Sequence, residues 1–225
     1  MIAARQPPLV GVALAGGRSR RLGVDKVTLR LERDGRSQTL LAHTVRRLAS
    51  VSDEVVVVAL AEQLSARRAQ LEAELPQPLP ALLADAPPPA VGPAAGLLAA
   101  TAARPQARLL VLACDLPRVP VALLARLVRE AHEHPEATWI VPVREGRLEP
   151  LCALYSPVAL RVLASRATSG RCALHELRSE ALLRRELVVE GMPELAGELD
   201  PLLNLNEPQD LERFSSLEAL AYPRG

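Results

Sequence analysis

The chain has 225 residues, of which 49% are apolar and 24% charged, and its formal net charge is +1. This length suffices for one large α/β domain with a full core, and the composition is typical of a soluble globular protein. The near-zero charge and the four aromatic residues argue against nucleic-acid binding, which uses basic surfaces and stacking side chains. The longest apolar run, residues 55–61, is far shorter than the ~20 residues that cross a bilayer. Neither nucleic acid nor a membrane is therefore an expected partner.

The three cysteines indicate a reducing compartment. Cys114, Cys152 and Cys172 are odd in number and lack the CxxC spacing of a zinc or redox site. Reduced thiols of this kind are typical of the cytosol, whereas secreted domains of this type carry disulfides. We therefore expect a cytoplasmic protein.

Short apolar runs alternate with segments of helical spacing through the first half of the chain. Strands are predicted over residues 9–14, 54–60 and 81–84. Helices are predicted over about 40–49, through 67–74, and from Pro93 onward. The prolines that follow residue 75 end the second helix, because proline cannot continue one. The loop between residues 86 and 92 leads into the third helix, with Pro93 in its first turn.

The second half of the chain continues the alternation. Residues 108–113, which are apolar after Arg108, predict a central strand, followed by a helix over 121–132 and a strand over 139–143. Gly146 predicts a turn into residues 148–155, an antiparallel edge pair. A short strand over 187–190 and an amphipathic helix over 211–220 follow. The expected fold is a single domain, 1–225, with three layers (α/β/α) and a mostly parallel, Rossmann-like sheet with a small antiparallel edge.

Three candidate groups follow the ends of predicted strands. Gly16-Gly17, Asp85 and Asp115 all fall at the carboxyl edge of the sheet, where ligands of parallel sheets bind. Each alone has an ordinary explanation, since Gly-Gly forms tight turns and Asp caps turns and helices. Their convergence on one edge favours a ligand site, and adjacent glycines let backbone N–H groups approach an oxyanion closely.

Lys26 is the only lysine of the chain, and it closes the segment that begins with the two glycines. Arginine supplies the positive charge everywhere else, including at positions 18, 20 and 21 of the same loop. A compact ammonium suits a tight site better than a planar guanidinium does. The isolated lysine therefore predicts a phosphate site at this loop, although its spacing is not that of a Walker loop.

Asn204 and Asn206 are the only two asparagines, and they lie two positions apart near the C-terminus. They have an ordinary interpretation as turn formers ahead of Pro208. Their exclusive use in one short segment marks a second candidate site.

Five segments in chain order resemble the signature of one enzyme family. The first is Leu14-Ala-Gly-Gly-x-Ser-x-Arg-Leu-Gly-x-Asp-Lys26, with Leu22 where methionine is customary. The others are Asp85 with residues 92–96, then 114–117, 149–155 and 204–210. They are distributed in the right order over nearly the whole chain, and the pattern resembles the molybdenum cofactor guanylyltransferases of the nucleotidyltransferase superfamily.

The resemblance implies a nucleotide-diphospho-sugar transferase-like fold and a Mg²⁺-dependent reaction. GMP would pass from GTP to the terminal phosphate of molybdopterin-bound molybdenum, with release of pyrophosphate. Other proteins of molybdenum cofactor biosynthesis are implied as further partners. Lys26, Arg21 and Asp115 would be catalytic, with Asp115 also touching the metal, and Asn204 and Asn206 would lie on the acceptor or metal side. The residues implied to bind the nucleotide are Leu14, Ala15, Gly16, Gly17, Lys26, Asp85 and Asp115.

Two departures from the family pattern concern specificity. The family often has a polar Asn just after the second strand, where this chain has apolar residues up to Leu60, and residues 36–41 form a longer segment than usual. Two alternatives therefore stay open: cytidylyl transfer to molybdopterin, or nucleotidyl transfer to a sugar phosphate. A third is a non-catalytic nucleotide-binding protein, against which the presence of both Lys26 and Asp115 counts.

Overall fold

The structure is a computed structural model that describes residues 7–17, 23, 25–33, 36–198, 200–217 and 220–221. The strands, numbered in chain order, are β1 (Leu9–Leu14), β2 (Arg30–Arg33), β3 (Arg36–Thr39), β4 (Glu54–Ala59), β5 (Ala81–Ala84), β6 (Arg108–Ala113), β7 (Trp139–Arg144), β8 (Arg147–Leu148), β9 (Cys152–Tyr155), β10 (Arg184–Val188) and β11 (Leu220–Ala221). The α-helices are α1 (Leu40–Ala49), α2 (Leu64–Glu74), α3 (Pro93–Ala103), α4 (Val121–Glu133), α5 (Pro157–Thr168) and α6 (Pro208–Leu217). Within these ranges, no helix combines the length and the apolar character that a bilayer crossing requires.

The main sheet contains eight of these strands in the order β10-β7-β9-β6-β1-β4-β5, with β8 paired to β7. Strands β6, β1, β4 and β5 are mutually parallel, and so are β7 and β10. Strands β8 and β9 run antiparallel to their partners. One face of the sheet packs on α1, α2 and α4, and the other packs on α3 and α5. The expected three-layer, mostly parallel fold is thus confirmed.

The antiparallel segment lies in a different place from the one predicted. Strand β9 is inside the sheet, between β6 and β7, and not at its edge. All four residues of Cys152–Tyr155 are fully buried, and the Tyr155 ring stacks on Trp139 with 5.8 Å between the ring centroids. Its backbone pairs with β6 on one side and with β7 on the other, and its side chains alternate between the cores on the two faces of the sheet.

Two element boundaries near the C-terminus also differ from the prediction. The edge strand is Arg184–Val188 instead of residues 187–190, and it pairs in parallel with residues 139–143 of β7. Its first three residues are charged and form ion pairs, such as Arg185 with Glu130 at 2.9 Å, so they lack the apolar pattern from which a strand is predicted. Helix α6 begins at Pro208 instead of residue 211. The Asp210 carboxylate accepts the N–H groups of Asn206 and Glu207 at 2.7 Å each, which supports the earlier start. Residues 218–219 of the predicted helix lie outside the described ranges.

The two sides of β6 show how the core forms. Leu109 and Val111 belong to the core on the α3 and α5 face, whereas Leu110 and Leu112 belong to the core on the opposite face. This alternation follows from the two-residue period of a strand. An apolar strand flanked on both faces by helices is therefore rigid, and it fixes the position of the loop that follows it.

A second, smaller sheet was not predicted from the sequence. Strands β2 and β3 form a hairpin that β11 extends, giving three strands in the order β11-β2-β3. Their many charged residues hide the strand signal. Leu29 and Leu31 pack there with Leu203, Leu205 and residues of α6 in a third apolar cluster. This cluster holds the C-terminal segment against the chain that follows Lys26.

Candidate active site

The carboxyl ends of four adjacent strands open into one cavity. Strands β5, β4, β1 and β6 are parallel neighbours, and the cavity at their ends has a volume of about 340 Å³. Its described lining residues are Leu14, Ala15, Gly16, Gly17, Asp25, Lys26, Val27, Val58, Leu60, Asp85, Gly92, Pro93, Gly96, Ala113, Cys114, Asp115 and Leu151. The fold thus brings together every residue that the sequence predicts to contact a nucleotide. Arg21, the remaining candidate for that loop, lies outside the described residues.

Two glycines leave room for the Asp85 carboxylate. A Cβ at Gly96 would lie 2.8 Å from Leu14 Cδ2 and 3.4 Å from Asp85 Oδ1, and a Cβ at Gly16 would lie 3.3 Å from Asp85 Oδ2. The Asp85 backbone N–H donates to the Ala59 carbonyl oxygen at 3.0 Å, which fixes the start of this loop on β4. Glycine at these two positions therefore serves the close approach of a carboxylate to the backbone.

The Asp85 carboxyl group is placed to receive hydrogen-bond donors. Burial raises its pKa, and the nearby Glu62 charge raises it further. A partly buried carboxylate gains from N–H or O–H donors that restore what water supplied. A ligand group with such donors, for example a nucleobase edge or a ribose, suits this position.

Lys26 is fixed at the cavity by contacts far apart in sequence. It begins the short 3₁₀ turn Lys26–Thr28, and its side chain is 15% exposed. The Nζ atom donates to Asn206 Oδ1 at 2.7 Å and lies 3.4 Å from Asp115 Oδ2. The predicted phosphate cation and one predicted C-terminal asparagine are therefore in direct contact.

Leucines and asparagines alternate along residues 203–206. Leu203 and Leu205 are buried in the third apolar cluster, at 5% and 0% exposure. Asn204 between them is half-buried, and Asn206 after them is exposed. The Leu205 N–H donates to the Asp115 carbonyl oxygen at 2.8 Å, which joins this segment to the end of β6.

Two buried side-chain oxygen atoms near the end of β6 lack hydrogen-bond partners among the described residues. They are Asp115 Oδ1 and Asn204 Oδ1. Burial raises the pKa of Asp115, while the Lys26 ammonium opposes that rise. Buried oxygens without partners are costly unless something compensates them, and Mg²⁺ prefers oxygen ligands. The donor set at Asp115 is therefore suitable for Mg²⁺.

The wall of the cavity beside β4 is apolar. Val58 and Leu60 line it, and neither side chain can form a hydrogen bond with a base. On the other side, α3 begins with Gly92 and Pro93 at the cavity. The cavity thus offers few side-chain hydrogen-bond groups besides its carboxylates and Lys26.

The Cys114 thiol is not a nucleophile. Burial raises its pKa to about 12, and its side chain is 2% exposed. A protonated, nearly buried thiol is a poor nucleophile, as expected for a small core residue.

Sequence reasoning missed two charged residues at this site. Asp25 lines the cavity, and only its place before Lys26 in the first segment could have indicated it. Glu149 follows β8, and burial raises its pKa to about 7, with the Asp115 charge adding to the rise and the Leu151 N–H opposing it. Glu149 lies in a segment that resembles the family, but its residue type alone indicates no role.

The titration of Glu149 predicts a pH-dependent stability in the absence of metal. Its folded-state pKa of about 7 exceeds its ordinary value of 4.5, so the folded state binds the proton more tightly than the unfolded state does. The resulting stabilisation is complete below pH 4.5 and is lost as the pH rises through 7. Each unit between the two pKa values corresponds to about 1.4 kcal/mol, so we expect a loss of up to about 3 kcal/mol. Glu149→Gln abolishes this slope.

Urea unfolding in EDTA between pH 5 and 8 measures the difference between the wild-type protein and Glu149→Gln. Glu133→Gln, a change at an exposed residue near the end of α4, is the matched control and keeps the wild-type slope. Parallel pH profiles for wild type and Glu149→Gln would contradict the assignment.

A known protein family and several known proteins are similar to this chain over most of its length. Residues 11–185 match the family described as "MobA-like NTP transferase domain". A relative from Rhodopirellula baltica named "Probable molybdenum cofactor guanylyltransferase" is 37% identical over 214 residues, which are 92% of each chain. A protein of the same name from Opitutus terrae is 34% identical over 216 residues, covering 94% of this chain and 97% of the relative.

A solved structure supports the fold. Molybdopterin-guanine dinucleotide biosynthesis protein A from Archaeoglobus fulgidus superposes with a TM-score of 0.73 at 24% identity, covering 92% of this chain and 97% of that chain. The family match extends over more than half of the residues, and both curated relatives align over nearly their full lengths. The chain therefore belongs to the MobA-like NTP transferase family.

Proposed function

We propose that this chain is a Mg²⁺-dependent guanylyltransferase of molybdenum cofactor maturation. It transfers GMP from GTP to the terminal phosphate of molybdopterin-bound molybdenum and releases pyrophosphate. The names of its relatives support the reaction. The observation that supports it most within the chain is the convergence of Lys26, Asp115 and Asn206 at one cavity. All three cysteines are free, in keeping with a cytoplasmic enzyme.

The proposed role of the loop at Gly16-Gly17 is to bind the phosphates of GTP. Backbone N–H groups near glycine approach phosphate oxygens closely, and the Lys26 ammonium neutralises their charge. The Lys26 ammonium donates to Asn206 Oδ1 at 2.7 Å. When the nucleotide binds, the ammonium either replaces this contact with one to a phosphate oxygen or donates to both oxygens. Either arrangement leaves the cation where negative charge accumulates during transfer.

Asp115 and Asn204 are the residues proposed to hold Mg²⁺, because their unpartnered oxygens are the available ligands. When bound, the ion supplies charge neutralisation at the phosphates. The acceptor is already an anionic phosphate, so its oxygen can attack the α-phosphorus without prior loss of a proton. A bond forms between that oxygen and the α-phosphorus, the bond from the α-phosphorus to the bridging oxygen breaks, and pyrophosphate departs with the electron pair. Such a reaction requires positioning and charge stabilisation more than a general base.

Asp85 is proposed to select the nucleotide. Its carboxylate can accept hydrogen bonds from guanine N1–H and N2–H, or from a ribose hydroxyl. The apolar wall at Val58 and Leu60 lacks the side-chain amide found in many relatives, so discrimination between bases is weaker than where several buried groups read the base. This wall is also the observation that keeps cytidylyl transfer as the second candidate.

We expect GTP to be preferred over CTP and ATP by roughly 10- to 100-fold in kcat/KM. The measurement is transfer to molybdopterin-bound molybdenum from each nucleotide in the presence of Mg²⁺, with identification of the product. A preference for CTP would replace the guanylyl assignment by the cytidylyl one. Transfer from no nucleotide would favour a non-catalytic binding protein.

The variant Asp85→Asn separates the two proposed roles of this carboxylate. If Asp85 reads guanine, the preference for GTP falls, because an amide oxygen replaces a carboxylate that accepts two N–H groups. If Asp85 binds the ribose, kcat/KM falls equally for all three nucleotides.

A further inference from the structure

Arg67 is a buried cation beneath the nucleotide site. It belongs to α2, and its side chain is only 1% exposed. Its Nη2 atom lies 2.7 Å from Asp25 Oδ2, and its Nη1 atom donates to Gln70 Oε1 at 3.3 Å. Its Nε atom has no hydrogen-bond partner among the residues whose structure is described. Burial of a guanidinium with so few partners is costly, and Asp25 supplies the compensating charge.

Asp25 occupies the position that sets the direction of Lys26. It is the residue before the 3₁₀ turn Lys26–Thr28, and its carbonyl oxygen accepts the Thr28 N–H at 3.0 Å and the Thr28 hydroxyl at 2.8 Å. Asp25 itself lines the cavity beside Lys26. An anchor on its carboxylate therefore restrains the short turn from which the Lys26 side chain extends.

The charge of Asp25 also needs to be neutralised. The described lining of the cavity includes the carboxylates of Asp25, Asp85 and Asp115 but a single lysine. A polyphosphate entering this cavity is repelled by an unpaired carboxylate, since like charges at short range in a partly buried site interact strongly. Pairing with Arg67 removes most of that repulsion without placing another cation in the cavity.

We propose that Arg67 is a positioning residue of this site, holding Asp25 and thereby fixing the turn that directs Lys26 toward Asp115 and Asn206. This inference rests on the proposed function, in which Lys26 contacts a phosphate of the nucleotide. Arg67 itself touches neither nucleotide nor acceptor. Its effect on the reaction passes through Asp25.

The adjacent Arg68 offers a matched control, because its side chain is 56% exposed and pairs only loosely with Glu72, at 4.0 Å. We expect Arg67→Met to lower kcat by roughly 10- to 100-fold, since Lys26 is then misplaced for transition-state charge, with a smaller change in KM. Arg67→Lys restores part of the loss, and Arg68→Met behaves as wild type. Adding Asp25→Asn to Arg67→Met does not restore activity, because the Lys26–Thr28 turn still lacks its anchor.

A second measurement reads Lys26 without any substrate. Lys26 is the only lysine, so reductive methylation with ¹³C-formaldehyde labels two amines, Lys26 Nζ and the N-terminus. In wild type and Arg68→Met we expect the Lys26 methyl signal to differ from that of the urea-unfolded protein. In Arg67→Met it moves toward the unfolded position while circular dichroism stays native.

The Lys26 methyl signal tests the positioning role of Arg67 independently of whether the protein transfers a nucleotide. A Lys26 signal in Arg67→Met that matches wild type overturns it, whatever nucleotide the enzyme uses. If Arg67→Met does not fold, Asp25→Asn tests the same pair from its more exposed member, which is 38% exposed, and the same shift of the Lys26 signal is expected. Unchanged Lys26 signals in Asp25→Asn would then overturn it. A shifted Lys26 signal in a protein that transfers no nucleotide supports the inference and refutes the proposed function.

Discussion

Replacement of Asp115 by asparagine is expected to abolish turnover while the protein stays folded. Asp115 Oδ1 is buried and unpartnered in the described structure, and Mg²⁺ binding requires a negative oxygen ligand that an amide cannot replace. We expect kcat at saturating GTP to fall by roughly 10³-fold or more. Burial raises the pKa of this carboxyl group, so the neutral amide does not destabilise the metal-free protein through charge burial.

The control for this variant is Asp53→Asn at the opposite edge of the sheet. Asp53 Oδ2 accepts the Leu9 N–H at 2.9 Å, and an asparagine oxygen can keep that bond. Kinetic assays across a Mg²⁺ titration, together with thermal unfolding of both variants, make the comparison. Retention of Mg²⁺-dependent activity by a folded Asp115→Asn protein would remove Asp115 from the mechanism.

Replacement of Lys26 by arginine is expected to lower kcat/KM by roughly 10²-fold or more, although the charge is kept. The Lys26 ammonium fits between Asn206 Oδ1 at 2.7 Å and Asp115 Oδ2 at 3.4 Å, and the side chain is 15% exposed. A guanidinium is larger and planar and requires a different approach to the same oxygens. The loss therefore reflects geometry, and steady-state kinetics with GTP measure it.

A conservative exchange in the opposite direction provides the control. Arg161→Lys changes an exposed residue on α5, and we expect it to leave the kinetic constants unchanged. Near-native kinetics for Lys26→Arg would show that Lys26 is an ordinary surface charge.

The strands at the site could be predicted because local sequence determines them. β1 and β6 are mostly apolar runs that end at Leu14 and Ala113, and their predicted bounds are those of the structure. The position of β9 could not be predicted in the same way. Its four residues indicate burial, but a strand pairs with neighbours that are distant in sequence, and its own residues do not specify which neighbours those are.

The candidate site shows the same limit. The contact of Lys26 with Asn206 spans 180 positions, and the sequence marked each residue separately, because both types are rare in this chain, without predicting that they touch. Arg67 had no such signal: it is one of many arginines, and nothing local separates it from the exposed Arg68 beside it. Burial of a charged side chain depends on tertiary packing, which a single sequence does not show.

The central claim is that this cavity transfers the α-phosphoryl group of GTP, with its guanosine, to a phosphate acceptor. Position-specific labelling tests it most directly: wild-type protein is incubated with Mg²⁺, molybdopterin-bound molybdenum and GTP labelled at either the α- or the γ-phosphorus. We predict that the α label enters the cofactor product and that the γ label appears in pyrophosphate, whereas Asp115→Asn yields neither. Recovery of the γ label on the cofactor, or of both labels in unreacted or simply hydrolysed nucleotide, would contradict the account.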